Sequence, residues 1–272
     1  MLSAAMHGGL GWVAFGAFWG LLALLALAEL WRPLHVGVDE PAGRIAGNIG
    51  LGLVNAGLGL ALPLSTVLPA AWAHRHGVGL MNSEPLPYAI ALAATLLLRN
   101  LATWMVHRAS HAAPLLWRVH RVHHADVRLD LSTGFRNHPL ELAYVAPWLA
   151  AFTIAFGLDP ATLAAYEATA IGFSLWTHAN VRLPVSADRW LRLLFVTPAM
   201  HHVHHSSRRT ETDSNYGDVF SFWDRLFGTY RPLGESEVKA VRFGLGDAFD
   251  REAPSFVRQL AGPFEAPERR GS

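Results

Sequence analysis

The 272-residue sequence contains no cysteine, and this absence removes whole classes of chemistry. Without thiolates the chain cannot hold a disulfide, an iron–sulfur cluster or a cysteine nucleophile, so any metal site must use other ligands. Charged residues are also scarce, at 16% of the chain, and they nearly cancel to a net charge of +1. A charge so balanced gives no reason to expect a nucleic acid as a partner.

Long uncharged stretches occupy much of the chain. Five apolar segments approach or reach the length that crosses a bilayer, namely residues 10–28, 45–73, 86–106, 142–158 and 161–176. Pro63 and Pro69 predict a kink in the second segment, which membrane helices tolerate. The last two segments are short and joined by Asp159-Pro160, which favours a helical hairpin. We therefore predict an all-α integral membrane protein with about four to five membrane helices, the last two forming a hairpin.

Histidine is the residue that the sequence concentrates, since eleven of its fifteen histidines lie between residues 107 and 205. They form an H-x-x-x-H pair at His107 and His111 and two H-x-x-H-H clusters at residues 120–124 and 201–205. On a helix these spacings place the imidazoles on one face. Neutral imidazole binds iron, zinc, copper and nickel. Eight aligned donors exceed the needs of one ion, so the pattern predicts a two-metal site.

A polyhistidine tract that binds metal opportunistically is the alternative interpretation. Apolar residues such as Val122 and Val203 interrupt the clusters and keep the helical spacing, which argues against it.

The positions of the clusters predict a topology. The His107–His111 pair and the cluster at 120–124 follow the third apolar segment, and the cluster at 201–205 follows the hairpin. All three therefore lie on one side of the membrane, together with ten arginines between residues 108 and 209. The positive-inside rule places that side in the cytoplasm. The prediction is a helical, histidine-rich cap on the cytoplasmic side of a bacterial-type inner membrane, with the N-terminus outside. Three regions follow: N-terminal membrane helices (1–85), a domain that carries the histidine clusters (86–232) and a C-terminal tail (233–272) without visible chemistry.

Six motifs carry a family resemblance. They are HRASH at 107–111, HRVHH at 120–124, FRNHPLE at 135–141, THAN at 177–180, MHHVHH at 200–205 and DSNYGDVFSFWDRLFGTYRP at 213–232. In this order, from about residue 96 to 232, they resemble the fatty acid hydroxylase / sterol desaturase family of membrane enzymes. The first two apolar segments match only as hydrophobic segments.

The resemblance implies that residues 86–232 form the catalytic domain and hold a non-haem di-iron centre, with two Fe ions that use O2 and external electrons to hydroxylate or desaturate a lipid C–H bond. Because no haem or flavin motif is visible, the electrons would come from a separate reductase, cytochrome or ferredoxin-type donor. Carried over residue by residue, the metal ligands would be His107, His111, His120, His123, His124, His178, His201, His204 and His205.

Residues around the ligands would orient them, because a ligating histidine usually donates its second N–H to a carboxylate or carbonyl. For Asp213 and Asn215 a plain turn before Gly217 stays open, and for His138 a role in loop structure. Asn100 and Trp104 stand where relatives commonly carry aspartate and tyrosine, so residue 100 can orient an imidazole but cannot supply negative charge. The candidates are Asn100, His138, Asp213, Asn215, Tyr216 and Asp224.

Two other functions compete with the di-iron enzyme. A membrane zinc hydrolase would also use histidines, but nine exceed the three-ligand catalytic zinc pattern, and no His-Glu-x-x-His occurs. The second is a non-catalytic membrane metal-binding protein, either a metal carrier or an inactive relative that kept its histidines. A carrier would place its ligands within the spans rather than beyond their ends. The lipid itself stays open.

Overall fold

A computed structural model describes residues 9–37, 41–62, 65–83 and 86–265. Within these ranges the chain is helical, and its extended pairings are two isolated bridges, Pro33–Val181 and Phe195–Phe220. The α-helices in chain order are α1 (Gly9–Trp31), α2 (Arg44–Ala61), α3 (Val67–Arg75), α4 (Tyr88–Ala112), α5 (Pro114–His124), α6 (Leu142–Phe156), α7 (Pro160–His178), α8 (Val185–Leu191), α9 (Pro198–His204), α10 (Arg209–Thr212), α11 (Phe222–Leu226), α12 (Glu235–Lys239), α13 (Phe249–Glu252) and α14 (Phe256–Ala261). Short 3-10 turns lie at Leu80–Asn82, Leu131–Phe135, Pro139–Glu141 and Gly262–Phe264.

Two of the described helices are long and apolar enough to cross a membrane. They are Tyr88–Ala112, with 25 residues, and Pro139–Phe156, with 18, while Phe15–Trp31 in α1 is a shorter apolar stretch. The all-helical prediction is confirmed for the described part of the chain.

The expectation of one kinked helix over residues 45–73 is wrong. Helix α2 ends at Ala61 and α3 begins at Val67. Leu62 is extended, with φ −117° and ψ 146°, because the proline that follows it disfavours the helical conformation. The carboxylate of Glu167 on α7 then accepts hydrogen bonds from the Ser65 hydroxyl at 3.0 Å and the Thr66 backbone N–H at 3.1 Å. These hydrogen bonds partly bury the Glu167 carboxylate, which lies in an otherwise apolar segment.

The two helices of the predicted hairpin are α6 and α7. Gly157 ends α6 in the left-handed region at φ 68°, and the Asp159 side chain caps α7 by accepting from Thr162 N at 2.7 Å. Both helices pack against α3 and α4. Ala70, Leu158 and Leu163 are fully buried where these helices meet.

A proline turns the first two histidine-bearing helices against each other. Ala113 is extended, with ψ 119°, because Pro114 follows it, and Pro114 then opens α5 at a position where its missing N–H costs nothing. Helices α4 and α5 therefore fold back and pack together, while α9 packs against the end of α7.

Residues 234–265 pack against other parts of the described structure. Helix α14 packs on α2, and the turn at Gly262–Phe264 packs on α5. The approach is close, since a Cβ at Gly47 would lie 2.7 Å from both Pro254 O and Gln259 Nε2. The C-terminal helices thus cover the outer side of the histidine helix α5.

Candidate metal centre

The structure brings all nine predicted ligands together in two adjacent groups, within each of which the candidate ligand atoms lie within 4.8 Å of one another. Helix α4 supplies two histidines, α5 three, the last turn of α7 one, and α9 with the residue after it three. The first group is His107, His111, His120, His124 and His204, and the second is His123, His178, His201 and His205.

In the first group each ring is held by its Nδ1 atom. His107 Nδ1 donates to the Tyr216 carbonyl at 2.8 Å and His204 Nδ1 to the Ser214 carbonyl at 2.7 Å. The Nε2 atoms of His107, His120, His124 and His204 are buried and have no hydrogen-bond partner within the described residues. An N–H fixed on Nδ1 leaves the Nε2 lone pair for a metal ion.

In the second group the Nε2 atoms contact one another. His178 Nε2 lies 3.1 Å from His123 Nε2 and 3.0 Å from His201 Nε2, which is 3.2 Å from His205 Nε2. Two nitrogens that bind one ion at about 2.1 Å lie about 3 Å apart when they subtend a right angle. The second group therefore has the spacing of a ligand set around a common centre.

Burial favours the neutral form of five of these imidazoles. It lowers the pKa of His204 to about 3 and holds the pKa values of His123, His124, His201 and His205 well below their usual range. Neighbouring imidazoles act in the same direction, because a second positive charge nearby is unfavourable. The site thus offers nitrogen lone pairs rather than imidazolium ions.

The donor set fits metal ions of the borderline class. Both groups consist of histidine alone, and imidazole suits iron, zinc, copper and nickel. Buried Nε2 atoms without protein partners would be unfavourable unless something binds them.

Three of the predicted surrounding residues hold a ligand or its acceptor. The Asp213 carboxylate lies 3.3 Å from His111 Nδ1, and the Tyr216 carbonyl accepts from His107. Asp224 acts through the backbone, since its carboxylate accepts from Tyr216 N at 2.8 Å and Gly217 N at 2.9 Å.

The other three lie elsewhere. The Asn100 amide donates to Tyr166 and Asp218 instead of a site histidine. Asn215, at φ 53°, donates to the Met200 and Arg231 carbonyls and so joins α9 to the segment after α11. His138 caps the Pro139–Glu141 turn, with Nδ1 accepting from Leu140 N and Nε2 3.1 Å from Leu260 O. For His138 this is the geometry of a loop residue.

Several partners were not identified from the sequence. Glu141 Oε1 lies 3.4 Å from His120 Nδ1, and only its place in FRNHPLE could have indicated it. Thr212 Oγ1 lies 3.3 Å from His124 Nδ1. The remaining acceptors are backbone carbonyls, at Ser174 for His178 and Arg136 for His123. A carbonyl leaves no sequence signal, because every residue has one.

Nine clustered histidines beside apolar helices long enough to cross a membrane are the features of a histidine-rich membrane protein with a candidate metal centre. The sequence profile of the fatty acid hydroxylase family matches residues 92–229, about half of the chain, and the chain belongs to this family.

Named relatives agree with this assignment. Human alkylglycerol monooxygenase is 30% identical over 139 residues, which cover 51% of this chain and 29% of that protein. The ornithine lipid hydroxylase OlsE of Rhizobium tropici is 27% identical over 267 residues, covering 92% of this chain and 75% of the relative. A cholesterol 25-hydroxylase-like protein of Danio rerio is 32% identical over 143 residues, covering 51% and 54%. The chain thus spans under a third of the human relative. No solved structure shows a significant match.

Proposed function

We propose that the chain is a membrane-bound lipid hydroxylase that uses O2, two iron ions and electrons from a separate donor protein. The observation that carries the proposal is the division of nine histidines into two compact groups, one for each ion.

The five histidines of the first group would hold one iron and the four of the second group the other. When bound, the two irons supply activation of O2 for attack on an unactivated C–H bond. The chain's own residues would orient seven of these imidazoles through partners at Nδ1 and exclude bulk water. His124, His204 and His205 are at most 2% exposed, so the ligand layer is shielded from solvent.

Hydroxylation is favoured over desaturation because the relatives are named hydroxylases and monooxygenases. The names of these relatives specify an alkylglycerol, an ornithine lipid and cholesterol, which are all lipids. The substrate class we propose is therefore a membrane lipid whose apolar part reaches the metal centre.

We also propose that the metal centre faces the cytoplasm, in a bacterial-type inner membrane, with the N-terminus outside. The ends of α4 and α7 that carry histidines lie with α5 and α9, and exposed Arg108, Arg208 and Arg209 lie on the same side. Positive charge marks the cytoplasmic side of membrane proteins. Reporter fusions after residue 83 and after residue 242 check this, since the first should read as external and the second as cytoplasmic.

The function is tested on purified protein loaded with iron without oxygen. We expect about two irons per chain, a Mössbauer signal of nitrogen-ligated ferrous iron, and O2 consumption when lipid extract and reductant are added. Mass spectrometry should find a lipid heavier by one oxygen. Tight and exclusive zinc binding, or no O2 uptake with any lipid fraction, would contradict the proposal, and a lipid lighter by two hydrogens would indicate desaturation instead.

A further inference from the structure

One stretch of chain supplies acceptors for four of the five histidines in the first group. In residues 212–218, here called the acceptor segment, Thr212 contacts His124, Asp213 contacts His111, and the Ser214 and Tyr216 carbonyls accept from His204 and His107. The residues that hold the acceptor segment in place therefore also orient four of the five histidines in the first group.

The middle of the acceptor segment is held by Asp224. Besides the two backbone N–H groups of Tyr216 and Gly217, its carboxylate accepts from Trp104 Nε1 at 3.0 Å and Thr229 Oγ1 at 2.6 Å. Gly217 allows this close approach, since a Cβ there would lie 3.1 Å from Asp224 Oδ2 and 2.7 Å from Phe220 O. Trp104 belongs to α4, so this anchor joins the acceptor segment to the helix that carries His107 and His111.

The end of the segment has a second anchor on the same helix. Asn100 Nδ2 donates to Asp218 Oδ1 at 2.6 Å and to the Tyr166 hydroxyl at 2.7 Å, and Asn100 is fully buried. Asn100 and Trp104 are four residues apart on α4, one helical turn, and therefore point the same way. Each donates one N–H to a carboxylate on the chain that follows the last histidine cluster.

We propose that Asp218 and Asn100 are positioning residues of the metal centre. Their hydrogen bond fixes the acceptor segment against α4, so that the Tyr216 carbonyl keeps His107 in the tautomer with a free Nε2. The inference rests on the proposed function for the identity of the metal, and on hydrogen-bond geometry for the roles of the two residues.

The pairing explains why residue 100 is an amide in this chain. Asp218 offers an acceptor, so residue 100 must donate, and a carboxylate cannot donate unless it is protonated. Two carboxylates at 2.6 Å in a buried site repel each other strongly. Asn100→Asp should therefore push the acceptor segment away from α4 and loosen the hold on His107.

The test is a charge exchange in four forms of the full-length protein: wild type, Asn100→Asp, Asp218→Asn, and the double variant that carries both. The measurement is the ferrous iron dissociation constant of each metal-free protein by competition with a chelator, with iron per chain counted by elemental analysis. Loss of an outer partner of a ligand typically costs 10–100-fold in metal affinity.

We expect at least a tenfold weaker affinity for Asn100→Asp and a smaller loss for Asp218→Asn, whose side-chain carbonyl still accepts from Asn100. The double variant should recover most of the loss, because the amide introduced at position 218 can donate to the carboxylate introduced at position 100. Recovery by a second substitution separates positioning from general damage. If Asn100→Asp does not fold and the double variant does, the pairing is likewise supported.

Asn82→Asp, in the Leu80–Asn82 turn on the opposite end of the helices, adds the same charge and should leave iron affinity unchanged. Unchanged or tighter iron binding in Asn100→Asp would overturn the inference, as would a double variant no better than Asn100→Asp. A wild-type protein that binds no iron would instead overturn the proposed function.

Discussion

At the scale of single residues, the cluster after Thr197 places two adjacent histidines in different environments. His201 Nε2 points at His178 in the second group. His202 faces the other way, stacks on the His35 ring at 5.1 Å and lies 3.3 Å from the His178 carbonyl. Both residues are buried, so burial does not distinguish a ligand from a packing residue; the direction of the ring does.

This pair gives a matched test of the second metal position. His201→Ala should lower bound iron from two to about one per chain, because three donors remain in that group. His202→Ala should retain both irons and lose roughly 1–3 kcal/mol of stability, the usual result of deleting a buried hydrogen-bonding side chain. Iron analysis and thermal unfolding in detergent measure the two effects. Equal iron loss in both variants would remove the basis for separating them.

The ligands could be predicted at this scale because i, i+3 and i, i+4 spacings are visible in the chain and because six motifs match a family. The orientation of their rings could not be predicted from the sequence. His107, His123, His178 and His204 are oriented by backbone carbonyls, whose position depends on the fold around them and not on residue type.

At the scale of helices and turns, a buried polar network connects helix α2 and the C-terminal residues to the histidine helices. The Asp126 carboxylate, just after α5, accepts from Arg44 at 3.0 Å and Asn48 at 2.9 Å on α2, and from Thr133 at 2.8 Å. Arg136 donates to the Asn48 side chain, the Val122 carbonyl and the Ala253 carbonyl. Its own carbonyl orients His123.

The apolar patterns predict where most of these helices lie but not their connections. They assign residues 45–73 to a membrane span and no role to residues after 233, yet Asn48 and Ala253 both bind Arg136. Hydropathy describes which segments avoid water, and it contains no information about which buried polar groups pair.

The network predicts a stability effect. Asp126→Asn leaves the buried Arg44 guanidinium with Asp130 as its carboxylate partner, and weakening a buried ion pair from one side typically costs about 3 kcal/mol or more. The melting temperature in detergent should fall, and iron in the second group should fall with it, because Arg136 orients His123. Glu235→Gln removes the exposed pair with Lys239 and should change neither quantity. A normal melting temperature for Asp126→Asn would contradict the structural role of the network.

At the scale of the whole molecule, the chain buries an unusual number of neutral imidazoles in one place, and stability should report this. Burial lowers the pKa of His35 to about 4 and of His204 to about 3, from the ordinary value of 6.5. The unfolded chain binds these protons near pH 6.5 and the folded protein does not. The free energy of unfolding is therefore highest above pH 6.5, falls as the pH drops below it, and continues to fall towards the folded-state values.

We expect the melting temperature of metal-free protein in detergent to decrease steadily from pH 7 to pH 5, and that of the iron-loaded protein to be higher at pH 7 because iron binds only the folded state. Each histidine that the folded state keeps neutral adds about 1.4 kcal/mol per pH unit to the slope. His35→Phe keeps a ring to stack on His202 and removes one such proton outside the proposed ligands, so it should flatten the slope by about that amount. A melting temperature that does not change between pH 7 and pH 5 would mean that the histidines are already protonated or exposed in the folded protein. That result would contradict the structure, in which their Nε2 atoms lie close together.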